Sequence, residues 1–288
     1  MNDSRVMVLK DGRDLGWLES GDPSGVPVIA FHGTPGSRLQ VSVFDEAARA
    51  AGVRLICPDR PGYGLSTFQP SRRLTQWSDD VRELVDHMGI DTFAVLGVSG
   101  GGPHALVCAA LLGGRITVTG VASGVGPLND ARALDGMSKQ NRTIFQLSQK
   151  APWLLLSINR SQMSFARRYP RRAVDFMLKQ VPEADAALLR QPSVRAIFEM
   201  DLARASHTVP KAATQDIRVF ASDWGFKYDA IAVPVHFWHG TADRSVPLLH
   251  ARIQHEQIRN SQLHEFDDEG HLMIFNHINE ILDKLLGN

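Results

Sequence analysis

Ser99 lies in the pentapeptide Gly97-Val98-Ser99-Gly100-Gly101, a setting in which a serine can be made a nucleophile. A hydroxyl attacks a carbonyl carbon only when a base takes its proton and a third group fixes that base. Two residues later in the chain can fill those posts. Asp243 follows an apolar run ending at Trp238, and His271 follows another ending at Phe266. The order serine, acid, histidine, each just past a strand, is the one a G-x-S-x-G nucleophile elbow requires. Each position also has an ordinary explanation. Ser99 can be the first-turn serine of a helix, Asp243 a turn residue bonding its own backbone, and His271 a surface histidine among eleven. The joint arrangement is far less expected by accident than any member. Asp267 and Asp268 compete as the acid, but carboxylates so close in sequence to His271 need not reach its imidazole.

A serine on so tight a turn needs a strand before it, a helix after it and glycines around it. Phe93-Ala94-Val95-Leu96 has the apolar, β-branched character of a buried strand, and His104 to Leu112 reads as a helix with Pro103 at its tolerated start. Residues without a Cβ fit beside the crowded serine. The helix N-terminus faces it, where it can stabilise a developing oxyanion. That oxyanion needs two backbone donors: the amide of Gly100, and one from the loop His32-Gly33-Thr34-Pro35-Gly36, for which Thr34 is the choice. His32 is read as pinning that loop by hydrogen bonds.

The rest of the chain supplies the scaffold. Val6–Leu9 and Leu15–Glu19 form a hairpin pattern around Asp11-Gly12-Arg13. Buried-strand patterns follow at 26–31, 53–57, 116–122, 233–238 and 262–266, with helical patterns at 43–51, 75–88, after Pro247 to about Arg259, and at 272–286 between and after them. Alternating strands and helices predict a mostly parallel central sheet flanked by helices. Between about 126 and 212 the alternation stops. Helical spacing without a strand covers 143–158, 163–169, 171–180, 183–190 and 194–205, punctuated by Pro152, Pro170, Pro182 and Pro192. Residues 1–125 and 213–288 are therefore expected to form the core domain, and 126–212 an inserted helical cap, with the α/β pattern resuming at 214–220.

Composition narrows the classes. The 288 residues are 43% hydrophobic and 22% charged, ordinary for a soluble globular protein, and 31 basic residues balance 31 acidic ones. That balance gives no reason to expect nucleic acid as a partner. No apolar run approaches the length of a membrane span, and the N-terminus lacks a signal-peptide core. A cytoplasmic protein, monomer or homodimer, acting on a small molecule is the expectation. Cys57 and Cys108 make no disulfide framework and read as buried small hydrophobes. No metal-ligand spacing and no dinucleotide fingerprint occur, so no metal and no cofactor are expected.

The motifs HGTPGSR, DRPGYGLS, GVSGGGP, HGTADRSVP and the late GH together resemble the α/β-hydrolase fold superfamily, specifically its compact single-lid serine hydrolases of esterase type. The resemblance covers about residues 5–125 and 213–288. It implies the α/β-hydrolase fold with a helical cap over the pocket, and a structural role for the loop holding Asp59 and Arg60. Dehalogenases and epoxide hydrolases share the fold but carry Asp at the elbow, where this chain has Ser99. HGTPG is also near the HGGPG of proline iminopeptidases.

Residues 131–212 carry fourteen Lys and Arg against six Asp and Glu, densest at Arg167, Arg168, Arg171 and Arg172. Such a field can draw anionic substrates into a cleft, or it can be the solvated outer face of helices. It also disfavours a cationic aminopeptidase substrate, whose amine calls for carboxylates. Gly33, Trp153, Phe165 and Trp224 are candidates to line the substrate pocket, with core packing the competing role for Trp224. The expected activity is hydrolysis of a small ester or a lactone through an acyl-enzyme. The alternatives are a carbon–carbon bond hydrolase or thioesterase acting on an anionic substrate, and a ligand receptor that retains the three residues.

Overall fold

A computed structural model describes residues 4–287. Its eight-stranded sheet comprises β1 (Ser4–Val8), β2 (Asp14–Gly21), β3 (Val26–Phe31), β4 (Val53–Pro58), β5 (Phe93–Val98), β6 (Ile116–Ala122), β7 (Val235–Gly240) and β8 (Ser261–Phe266). The spatial order is β1-β2-β4-β3-β5-β6-β7-β8. β2 runs antiparallel to both β1 and β4, and the other pairings are parallel. The expected mostly parallel α/β sheet is what the chain forms.

Alternation along the central strands fills two separate cores. Ile29, Phe31 and Val95 face one side, where α2 (Gln76–His87), α3 (Gly102–Leu111) and α10 (Leu249–His255) pack with Trp77, Leu84, Leu106 and Ala251. Val28, Ala30, Ala94 and Leu96 face the other side, against α1 (Asp45–Ala50) and α11 (Ile274–Leu285) with Ala48, Ile278 and Ile281. Both faces of a parallel sheet are covered in this way, which is why its strands read as nearly continuous apolar runs. Cys57 and Cys108 are buried and unpaired, one in each core.

The inserted segment folds as α4 (Lys139–Lys150), α5 (Pro152–Arg168), α6 (Pro170–Met177), α7 (Glu183–Arg190), α8 (Pro192–Arg204) and α9 (Val209–Phe220). Prolines open α5, α6 and α8 at their first turn, where the missing amide costs nothing. Hence the helical pattern expected over 143–158 breaks at Ala151, and α5 runs unbroken through the expected gap before Met163. Helix α9 crosses residue 212 without interruption, so the segment returns to the core along a shared helix rather than through a linker. The helix expected from Val43 begins with a 3₁₀ stretch, Arg38–Phe44. Among the described residues, no helix is long and apolar enough to cross a membrane.

Candidate active site

Strand β5 delivers Ser99 to the turn before α3, with φ +54°. That left-handed conformation is unfavourable for a residue with a Cβ, so the surroundings must impose it. They do so by close backbone approach. A Cβ on Gly101 would be driven into the Phe31 carbonyl, and one on Gly97 into the carbonyl of Gly101. The amide of Val125 donates to the Ser99 carbonyl (3.1 Å). Beneath the turn, His104 Nδ1 bonds the Gly100 carbonyl (2.9 Å), its ring held edge-on between Trp77 and Phe220. Burial and nearby Arg60 keep His104 neutral far below its ordinary pKa, so Nδ1–H is the donor.

β7 and β8 bring the two partners to the same end of the sheet. Asp243 follows β7, and its Oδ1 accepts the amides of Ser245 (2.8 Å) and Val246 (2.9 Å). Its Oδ2 lies 2.7 Å from His271 Nδ1, and His271 Nε2 lies 2.9 Å from Ser99 Oγ. Burial opposes ionisation of Asp243, but the His271 charge and the bonds from His239 and His271 hold its carboxyl far below the usual carboxylate range. An ionised Asp243 accepts Nδ1–H, which leaves Nε2 to accept the Ser99 hydroxyl proton. Burial disfavours the His271 cation, yet Asp243 and, more weakly, Asp185 raise the imidazole above its ordinary pKa. Ser99, His271 and Asp243 thus form one hydrogen-bonded chain.

The loop after β3 faces this chain. Gly33 lies so close that a Cβ there would stand 3.5 Å from the Ser99 Cβ. Its amide donates to Gln40 Oε1 (3.2 Å), and the loop's next amide is that of Thr34. The Thr34 side chain packs on Gly100, where a Cβ would strike Thr34 Oγ1. His32 uses both ring nitrogens on the loop: Nδ1 bonds the Gly33 carbonyl (2.9 Å) and Nε2 accepts the Arg60 amide (3.1 Å). Burial and Arg60 hold it neutral. Asp59 accepts the amides of Arg38 (2.7 Å) and Leu65 (2.9 Å) and pairs with the Arg38 guanidinium, which is a structural role.

Three buried carboxylates from the inserted helices were not singled out by the sequence pattern. Asp216 of α9 accepts from Thr34 Oγ1 (3.0 Å), Tyr63 Oη (2.7 Å) and Arg60 Nη2 (3.1 Å), and pairs with Arg72. Its burial would raise the carboxyl pKa, but the two guanidinium groups pull it far down. Asp201 of α8 accepts from Ser37 Oγ and from Gln40 Nε2 (3.0 Å), with no cation paired to it among the described residues, and burial pushes it up to about 6. Asp185 of α7 accepts the Leu272 amide (2.7 Å).

The expected pocket residues fare unequally. Only Gly33 lies against Ser99. Trp153 and Phe165 are 70% and 46% exposed on α5. At about 100° per residue they fall well away from the stripe holding buried Leu155 and Ala166, so both stand on the solvent side instead of lining an enclosed site. Trp224 is 5% exposed, donates Nε1–H to the Phe220 carbonyl (3.2 Å) and packs with Phe226 and Tyr228 in the core. Of the clustered arginines, Arg168, Arg171 and Arg172 are likewise outward, and Arg167 is part-buried. Arg168 and Arg172 lie over the exposed Tyr169 ring, and the Arg171 side chain is 86% exposed.

Residues 26–278 match the model of the alpha/beta hydrolase fold, and the chain belongs to that family. It is 33% identical over 136 residues to a protein of Streptomyces coelicolor named as a probable proline iminopeptidase, a match covering 42% of this chain and 41% of that one. It is 25% identical over 269 residues to the uncharacterized hydrolase YcgS of Bacillus subtilis, covering 91% and 90% of the two chains. Among solved structures, the epoxide hydrolase CorEH superposes with a TM-score of 0.76 at 18% identity, over 100% of this chain and 98% of that one.

Proposed function

We propose that this protein is a serine hydrolase that cleaves a small ester or a lactone through an acyl-enzyme. The observation that carries the reading is the unbroken chain from Asp243 through His271 to Ser99, at 2.7 and 2.9 Å. His271 takes the Ser99 proton as Oγ bonds to the carbonyl carbon. The oxyanion formed is held by the amides of Gly100 and Thr34. His271 then gives the proton to the leaving alkoxide, and Asp243 stabilises the imidazolium between the two events. Water, deprotonated by His271, attacks the acyl carbon, and Ser99 leaves with the proton returned. Residues 126–212 act as a cap over this site, in a protein of the cytoplasm that needs no cofactor.

The carboxylates of the inserted segment favour an ester over an aminopeptidase substrate. A cationic amine must be met by free carboxylates. Asp201 is spent on Ser37 and Gln40, and Asp175, Glu183 and Glu199 on arginines of the segment itself. The test is hydrolysis of p-nitrophenyl acetate and butyrate, with acyl-CoAs, dienoic keto acids and prolyl-nitroanilide alongside. Burst release of p-nitrophenol that vanishes in Ser99→Ala supports the proposal. Turnover confined to one of the other substrates, or none, contradicts it.

A further inference from the structure

The inserted helices reach the site through three buried carboxylates, and two of them are fully engaged. Asp216 sits among Arg60, Arg72, Tyr63 and Thr34, and Asp201 has a donor on each oxygen. Asp185 is different. Its Oδ1 accepts the Leu272 amide (2.7 Å), while its Oδ2 is buried with no hydrogen-bond partner. The carboxyl lies flat on the Cα of Gly270, where any Cβ would collide with all three of its outer atoms. That contact accounts for glycine immediately before His271. Among the described residues, no lysine or arginine pairs with Asp185. The ionisable groups that face it are His271 and Asp243, and those that face His271 are Asp243 and Asp185.

A buried carboxylate with one oxygen unpaired is costly to keep unless something nearby uses its charge. The nearby group that gains a positive charge in the reaction is the His271 imidazole. We propose that Asp185 is a positioning residue: from α7 it fixes the Gly270–Leu272 main chain and sets a second negative charge beside the imidazolium formed on His271. This rests on the reading of His271 as the base for Ser99. Consistently, burial pushes the Asp185 carboxyl up while the amide of Leu272 pulls it back, and Asp185 favours the charged form of His271. The inserted segment would then do more than cover the site. Displacing α7 would loosen the histidine and weaken it as a base.

The test separates hold from charge. Asp185→Asn keeps an oxygen for the Leu272 amide and removes the charge, Asp185→Glu keeps the charge, and Asp185→Ala removes both. The His271 ring is titrated by NMR in the full chain, its signal identified by its loss in His271→Gln, and kcat/KM for p-nitrophenyl acetate is followed against pH. In Asp185→Asn, His271 should titrate at lower pH than in wild type, with the acid limb of kcat/KM moving down alongside; Asp185→Glu should return both toward wild type. Asp185→Ala should in addition lose about tenfold or more of the plateau kcat/KM, as expected for a lost charge-assisted hydrogen bond. An unmoved His271 midpoint in Asp185→Asn overturns the proposal. The NMR readout needs no turnover, so an inactive wild type would count against the esterase reading alone.

Discussion

Removing the Asp216 carboxylate should cost the fold several kcal/mol. Alanine there strips the partner from two guanidinium groups, Arg60 and Arg72, whose side chains are 0% and 5% exposed. It also takes the acceptor from the Tyr63 and Thr34 hydroxyls. Breaking a buried ion pair by deleting one side costs about 3–5 kcal/mol, because the remaining charge stays buried and uncompensated. Some relief exists: Arg60 also donates to the His32 and Gly33 carbonyls, and Arg72 to that of Pro61 (3.1 Å). For a chain of 288 residues, unfolding entropy of about 2.1 cal/mol/K per residue amounts to roughly 0.6 kcal/mol/K. The melting temperature should therefore fall by about 5–8 °C in calorimetry at pH 7. The loss should persist in 1 M NaCl, since salt screens buried charges little. Because Thr34 is the proposed second oxyanion donor, kcat/KM on an ester should also fall at temperatures well below the melt. A melt within about 1 °C of wild type would refute this account of how α9 is held to the loop after β3.

Three further perturbations follow from the same geometry. Asp243→Asn keeps an oxygen for the Ser245 and Val246 amides but turns a donor toward His271 Nδ1, forcing the wrong tautomer. The fold should survive while kcat drops by about 10⁴, and a small loss in steady-state assays would contradict the role. Gly101→Ala drives a Cβ into the Phe31 carbonyl, so urea unfolding should show about 4 kcal/mol or more of destabilisation. Asp201 is held near 6 from an ordinary 3.8. Between those values the folded chain keeps a proton that the unfolded chain has released, so this group's contribution to stability falls as pH rises through the window and is constant above it. Relative to Asp201→Asn, wild type should lose about 2 kcal/mol from pH 4 to pH 7; a difference that does not change with pH would refute it.

Ser99, Asp243 and His271 are legible in the sequence because each is tied to a local signal: glycines that permit a tight turn, or the end of an apolar strand. The same logic picks out Gly33, Thr34 and Gly100 from their loops. Asp185, Asp201 and Asp216 carry no such signal. Each is one acid on an amphipathic helix, and its partners lie 87, 164 and up to 182 residues away. Carboxylates on helices usually face water, so only tertiary contact distinguishes these three. The helical insertion itself is visible from its spacing, but its joints are not: proline reads as a breaker, whereas at the first turn of α5 it starts a helix. Trp153 and Phe165 show the opposite error. Apolar character does not say which side of a helix will be covered, and theirs is open.

Whether His271 activates Ser99 as a nucleophile is decided by intact-mass analysis of the full chain after treatment with a fluorophosphonate at neutral pH, followed by peptide mapping. One adduct should form, on Ser99, absent in Ser99→Ala and formed far more slowly in His271→Ala. No adduct on the wild-type chain, or an adduct on another residue with Ser99 untouched, would contradict it.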